Sequence, residues 1–484
     1  MHDAPFLLAG LAARGVSVEL DGETLRYRAR DRLSPADRET LKARKPQIVD
    51  YLRIRDQAAR RLDLKVGGEG PIPTSLIQKV WVRLMGAPHA PGMEKLPLVM
   101  SFRGVAPADA EAAVRALFAR HDSLRARLGD DHGATVALNP PEALEVVRER
   151  CADQGEFDAA VVRVVDQPLP LTGEVLVRAA VLEREDGTVA IILMFHHFVA
   201  DGASLGVIVR EICARLAGQA TREPLVRYAD YARAEARWFD SEAGAALTRY
   251  TADRVAAIPL LRGPSGRELT WLAGDKTYRP LDLPPEISGR IAHAAARLRT
   301  TAFVVIATAY ARALARWSGQ THFAIRVVGD QRTSYELAEL VGMMTVTDIL
   351  DIRLTDDLTE LLGRVAAESE SAMSIRLPAQ PGPDGWHDWR EQTGATINYT
   401  PYVPPEPPPA GLTFAAAPYL VAAGETKLKS GPVPAAPVFL RLIEDEKGLG
   451  GQFEFNEPLV SREEQAAMVR ALREALEEVI ASAA

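Results

Sequence analysis

The sequence predicts a mixed α/β (α+β) protein built from a small N-terminal module and a larger body. Strand-like and helix-like hydrophobic periods alternate along most of the chain. At 484 residues the chain exceeds what one compact core serves, and roughly 150 residues per domain suggests two to four units. Residues 1–60 hold 12 Lys and Arg against 9 Asp and Glu, a net of +3 that leaves −11 for the remainder. A basic module is thus joined to an acidic body.

The module is legible in order. Ala4 to Arg14 reads as a short amphipathic helix. Val16 to Leu20 alternates as a strand ending at Asp21-Gly22, and Leu25 to Arg28 alternates again, which makes a hairpin. Ser34-Pro35-Ala36-Asp37 offers an N-cap, a proline at the first helical position and an acidic third residue. Two further helical segments follow, split near Pro46. Residues 61–70, closing with Gly67-Gly68-Glu69-Gly70, read as a linker.

In the body, Pro107 suits the first position of a helix. Glu174 to Glu183 alternates, and Glu185-Asp186-Gly187 turns the chain into a continuous apolar run, Val189 to Phe195, which reads as a buried strand. His196 and His197 sit at its exit. A polar loop closes on Asp201-Gly202, and Ser204 to Ala217 has helical spacing that stops at Gly218. Pro404 to Pro409 and Pro432 to Pro437 read as loops.

Composition removes several function classes. Cys151 and Cys213 are the only cysteines, too few for a disulfide framework or a cysteine-rich metal site, and no metal site is expected. Neither a P-loop nor a strand-associated dinucleotide glycine pattern occurs. The net charge of −8 argues against general nucleic-acid binding. No apolar run approaches the roughly 20 residues needed to span a bilayer, and no basic region precedes Phe6 to Ala13 as in a signal peptide. The expectation is a cytoplasmic protein without nucleic-acid or membrane partners.

A single histidine beside an apolar run is more often a core residue than a catalyst. Here a His pair leaves a buried strand into a loop that holds an imidazole where it can meet a reacting hydroxyl or amine. The pattern HHxxxDG, His196 to Gly202 in this setting, resembles the condensation domains of nonribosomal peptide synthetases and their chloramphenicol-acetyltransferase-like relatives. Other segments agree in order: Arg120-His121-Asp122-Ser123-Leu124-Arg125 with RHExLR, Tyr228-Ala229-Asp230-Tyr231-Ala232 with YxDYA, and Val341-Gly342-Met343-Met344 with IGxF. Gly329-Asp330-Gln331-Arg332 is similar to the Gly- and Arg-bearing stretch that precedes the last of these. The resemblance covers about residues 71–484.

There are departures. The first family segment, SxAQxR, stands as Ser75-Leu76-Ile77-Gln78-Lys79-Val80 without its arginine. The Asn after IGxF is missing from Thr345 to Thr347, and Leu377-Pro378-Ala379-Gln380-Pro381 replaces QDxPFE. Because the His loop is intact, these changes bear on substrate class more than on reaction class.

The resemblance implies two acetyltransferase-like lobes meeting in a V, 71–250 and 251–484, with the His loop between them in a tunnel open from both faces. It implies an acyl group arriving as a thioester on the phosphopantetheine arm of a carrier protein, with no cofactor bound to the chain itself. His197 is then the general base or orienting group, His196 shapes the loop, and the Gly202 amide helps hold the developing oxyanion. Asp201 is assigned to a structural ion pair with Arg332 and not to a dyad with His197. Trp386, His387 and Trp389 receive no role.

The order helix, hairpin, helix, helix in residues 1–60 resembles the tubulysin-type β-hairpin docking domains, with Gly15, Asp21-Gly22, Leu33-Ser34-Pro35 and Arg44-Lys45 in the matching places. In that family the hairpin strand and neighbouring helix receive a short acidic C-terminal tail of an upstream carrier subunit. Arg26, Arg28, Arg30, Lys42, Arg44 and Lys45 are the expected contacts. A charge run is otherwise simply a solvated face.

These readings together give a freestanding condensation enzyme that joins a carrier-bound acyl chain to a hydroxyl or amine, as ester or amide, with chain release in a hybrid polyketide and peptide pathway. No adenylation, carrier or thioesterase signature follows the body, so a free small molecule or another subunit is the expected acceptor. Three alternatives stand beside it: a recruitment platform without catalysis, which the intact His loop opposes; an epimerase, which the missing carrier domain opposes; and a coenzyme A acyltransferase, which the docking module and the missing DFGWG segment oppose.

Overall fold

The computed structural model describes residues 4–22, 24–29, 33–59, 62–64, 70–85, 95–221, 223–375, 393–400, 409, 412–419, 433–445 and 448–483. The module contains α1 (Ala4–Ala13), the hairpin β1 (Val16–Asp21) and β2 (Thr24–Ala29), α2 (Pro35–Ala43) and α3 (Lys45–Ala59). Asp21 pairs with Thr24, so Gly22 must turn the chain, at φ +59°, where a side chain would strain the backbone. The Ser34 hydroxyl accepts the Asp37 amide at 3.0 Å and caps α2. One expectation needs correcting: α1 is apolar around its circumference, not amphipathic. It is covered on two sides, by β1 and by a helix of the body.

The first lobe begins with β3 (Ile72–Pro73), α4 (Leu76–Met85), β4 (Lys95–Arg103) and α5 (Pro107–Arg120). It continues through β5 (Ala126–Leu128), β6 (Thr135–Leu138), β7 (Val146–Cys151), α6 (Gln154–Asp166), β8 (Val177–Arg184) and β9 (Thr188–His196). Helices α7 (Gly202–Leu216), α8 (Tyr228–Phe239) and α9 (Glu242–Ala256) complete it. Every residue of β9 is buried, which explains its unbroken apolar run. Val189, Ile191, Leu193 and Phe195 join the core under α5 and α7. Ala190, Ile192 and Met194 face Phe157, Ala160, Val161, Val164 and Val165 of α6.

The second lobe comprises β10 (Leu272–Gly274), β11 (Lys276–Pro280), α10 (Ile287–Arg297), α11 (Ala302–Ser318), β12 (His322–Asp330), β13 (Thr345–Arg353) and α12 (Leu358–Ile375). After it come β14 (Ala395–Thr400), β15 (Thr413–Tyr419), β16 (Val433–Ala435), β17 (Val438–Asp445), β18 (Gly448–Asn456) and α13 (Arg462–Ala481). Its sheet runs β11-β18-β17-β14-β12-β13. One face packs on α11 and α13 through Ile325, Ile397, Leu440, Leu442, Phe453 and Phe455. No single helix among the described residues is long and apolar enough to cross a membrane.

Several details go beyond the sequence expectations. Residue 250, the expected lobe boundary, falls inside α9, which packs on α8 and α3 and reaches α12 through the Arg254–Glu368 pair. The second half does not keep to its own lobe: β15 adds to the edge of the first-lobe sheet, ordered β15-β4-β9-β8-β7, and Phe414 stacks on Phe102 at 5.3 Å. Within Pro432 to Pro437, Val433–Ala435 forms β16, paired with β10. The module is docked on the body as well as joined to it: Ala4, Ile48, Tyr51 and Leu52 share a core with Leu247, Tyr250 and Ile375. Of the expected linker, Leu62 and Leu64 pack against a cluster containing Val226 and Tyr228; residues 61 and 65–69 lie outside the described residues.

Candidate active site

His196 ends β9 wholly buried. Its Nδ1 accepts the Phe198 amide at 2.9 Å, which bends the backbone out of the strand and leaves the ring proton on Nε2. Nε2 has no hydrogen-bond partner among the described residues. Burial, then the neighbouring His197, pushes the His196 pKa down to about 3, so this ring is neutral and shapes the loop.

His197 is half-buried. Its Nδ1 lies 3.1 Å from the Ala200 carbonyl, which can only accept, so Nδ1 carries the proton and Nε2 keeps its lone pair. The imidazole stacks on Trp81, with centroids 5.3 Å apart and planes 15° from parallel. Burial lowers its pKa, against opposing pulls from Asp201 and the Ala200 carbonyl. The result is a neutral imidazole held flat by an indole, with a basic nitrogen that no described residue hydrogen-bonds.

Asp201 does not serve that ring as a dyad acid. Both its oxygens meet Arg332, at 2.9 and 3.0 Å, with side chains 2% and 6% exposed. Asp201 also caps α7 through the Ser204 amide at 2.9 Å and accepts the Met344 amide at 2.9 Å. Burial alone would raise its carboxyl, but the Arg332 charge and these hydrogen bonds hold it below the usual carboxylate range. The pair ties the His loop of one lobe to the chain after β12 in the other. Gly202 opens α7 with its backbone exposed, and a Cβ there would meet nothing within 4 Å. No described neighbour requires this glycine, which lies exposed at the start of α7.

The other singled-out segments form one buried network around this loop. Asp122 receives the Tyr228 and Ala229 amides at 3.0 and 2.9 Å and so caps α8, and the Ser123 hydroxyl donates to the Val341 carbonyl at 2.7 Å. Tyr228 donates to the Met343 carbonyl at 2.7 Å and meets Ser75 at 3.0 Å. A Cβ on Gly342 would lie 2.1 Å from the Tyr228 ring, so that position admits only glycine. Gln78 donates to the Phe198 carbonyl at 2.9 Å and supports the loop from below. Sequence reasoning gave Gln78 no role and did not single out Trp81. The signal available was their spacing of three, which puts both on one face of α4.

In the module, Arg28 meets Glu19 at 3.4 Å and Arg26 pairs with Asp21, so the two hairpin arginines are partly neutralised. Lys42, Arg44 and Lys45 are exposed at the junction of α2 and α3, the Arg44 side chain meeting Gln47 at 3.3 Å. Arg30, residues 377–381, Trp386, His387, Trp389 and residues 404–408 lie outside the described residues. Cys213 is buried on α7 with its thiol pushed up to about 11 by that burial, as befits a core residue. The described residues hold no group of three metal-ligand side chains.

With this geometry in view, comparisons with known proteins place the chain. The structure reported as the molecular basis for condensation domain-mediated chain release from the enacyloxin polyketide synthase is 35% identical, with a TM-score of 0.86, covering 99% of this chain and 97% of that one. The cyclization-docking bidomain of EpoB from Sorangium cellulosum shares the fold at 20% identity and a TM-score of 0.62, covering 98% and 97%. Phosphinothricin tripeptide synthetase PhsC of Streptomyces viridochromogenes is 28% identical over 317 residues, 61% of this chain but 29% of its own length. The chain thus spans under a third of this curated relative. The family model described as the TubC N-terminal docking domain matches residues 6–53, and that of the condensation domain matches residues 71–378. The body has the acetyltransferase-like condensation fold, and the chain belongs to the condensation-domain family, preceded by a TubC-type docking domain.

Proposed function

We propose that this chain takes an acyl group from the phosphopantetheine thioester of a carrier protein and joins it to the hydroxyl or amine of an acceptor, releasing the chain as an ester or amide. The observation that carries this is the neutral His197, its Nδ1 proton committed to Ala200 and its Nε2 without a hydrogen-bond partner among the described residues, in the same loop as the exposed Gly202. The acceptor oxygen or nitrogen attacks the thioester carbonyl while His197 Nε2 takes its proton. The Gly202 amide faces the developing oxyanion. Collapse breaks the carbon–sulfur bond, and the proton passes to the leaving thiolate. Such base catalysis contributes about 10² to 10⁴ in rate, with holding both substrates together contributing more. Similarity at 35% identity to a structure reported for condensation domain-mediated chain release supports release.

The donor is proposed to arrive on an upstream acyl or peptidyl carrier protein whose C-terminal tail contacts the hairpin and the α2–α3 junction, raising its effective concentration at the site. To test this, a candidate carrier is loaded with a simple acyl thioester, amines and alcohols are added, and the carrier and products are weighed by mass spectrometry. Acyl loss should depend on acceptor and on His197. Persistence of the acyl-carrier with every acceptor, identical in His197→Ala, sinks the proposal.

A further inference from the structure

The second-lobe sheet has one face in the core, and its other face carries a polar row. The register sets Arg441 of β17 opposite Gln452 of β18 and opposite Asn398 of β14, so the three side chains share that second face. Their strand neighbours Leu440, Leu442, Phe453 and Ile397 are buried in the core on the first face. Arg441 gives its Nε edge to Glu454 at 2.8 Å, with its side chain 39% exposed. Lys276 meets the same carboxylate at 3.4 Å. Two cations thus share one anion, a surplus of one positive charge. No described residue hydrogen-bonds the Arg441 Nη atoms or the Asn398 and Gln452 amides.

This row looks toward the chemistry. Strand β17 lies two strands from β12, roughly 10 Å across the sheet, and the chain leaving β12 carries the Arg332 that grips Asp201 in the His loop. Burial is the main cause that lowers the His197 imidazole, and the Arg441 charge acts in the same direction. A guanidinium 4.9 Å from the Phe439 ring centroid, with an edge that no described residue hydrogen-bonds and two such amides beside it, matches a carboxylate with adjoining polar groups. A pantetheine phosphate does not suit the place, because with its thioester at His197 that phosphate lies the length of the arm away, at the carrier surface.

Building on the acyl-transfer reading, we infer that Arg441, with Asn398 and Gln452 beside it, binds the carboxylate of a free acceptor, so that the acceptor class is a hydroxy or amino carboxylic acid. Losing one charge-assisted pair of this kind corresponds to about a ten- to hundred-fold loss of selectivity.

The test offers the full chain β-alanine, 4-aminobenzoate and 3-hydroxybenzoate, each beside its methyl ester. Turnover is read with an acyl-loaded carrier, and binding by ligand-observed saturation-transfer NMR without any carrier. The acids should be preferred over the esters, and Arg441→Gln should collapse that ratio about ten- to hundred-fold while Arg441→Lys, keeping charge but not the fork, falls between. Indifference of the parent chain to acid or ester in both measurements, or an unchanged ratio in a folded Arg441→Gln, overturns the inference. Arg441-dependent binding of the acids with no acylation of any acceptor would retain the carboxylate site and condemn the acyl-transfer reading instead.

Discussion

Asp201 and Arg332 meet in a two-armed pair with almost no solvent access, whereas Lys42, Arg44 and Lys45 stand in water with no ion-pair partner among the described residues. The first pair has paid its desolvation and gains only if both members stay. The exposed three cost little to keep and gain little in folding. The His loop therefore depends on every buried partner, and the module has side chains that can change without disturbing the fold. Chemistry and partner choice tolerate mutation to different degrees.

The sharpest break of this contrast is at the imidazole. His197→Ala should lower kcat/KM for acyl transfer about 10² to 10⁴-fold, with a melting temperature close to that of the parent. Next, Asp201→Ala leaves the buried Arg332 with the more exposed Asp330 as its remaining ion-pair partner at 2.9 Å and α7 uncapped, and should cost about 3 kcal/mol of stability by chemical denaturation. Equal melting temperatures for the two variants would remove the structural reading of Asp201.

Leu52→Ala, in the core shared by module and body, should cost about 2–5 kcal/mol and shift one single calorimetric transition. Two transitions, only the smaller one shifted, would show that the module melts alone. The buried His196 then sets an acid limit. Its folded pKa of about 3 lies below the roughly 6.5 of an unfolded imidazole, so the unfolded chain binds a proton that the folded chain excludes. Stability should fall as pH drops below that unfolded value, by about 2 kcal/mol near pH 5 from this group. His196→Gln, if it folds, should flatten that slope. The same sign applies to the rate: burial lowers the His197 pKa, so the acid limb of kcat/KM should lie below the ordinary imidazole value.

The smallest effect lies at the module surface. Charge reversal at Arg28 and at Lys45 should each weaken carrier use by about 0.3–1 kcal/mol, visible at low carrier concentration and absent at saturation. A uniform loss at all concentrations would count against a docking role for those side chains.

Much of this architecture was written in local periods. Val189 to Phe195 could hardly be anything but a strand covered on both faces, and Ser34 to Asp37 states its helix start outright. Long-range facts were not local. Asp201 and Arg332 are 131 residues apart, and only a family resemblance joined them in advance. Trp81 stacks on His197 because α4 lies beneath the loop, which no spacing in either segment encodes. The apolar letters of α1 were visible, but its second cover, α12, is some 350 residues downstream, so one face was expected to be wet. The β15 crossing had no signal either, since an edge strand reads the same whichever sheet it joins.

That crossing limits how such proteins can be recombined. With β15 hydrogen-bonded to β4, a chimera cut between the lobes would place one parent's strand against the other parent's sheet, with a register already irregular at Ala416. Exchanging whole lobes to mix donor and acceptor preferences would therefore require residues 413–419 to travel with the first lobe, as a graft within the second.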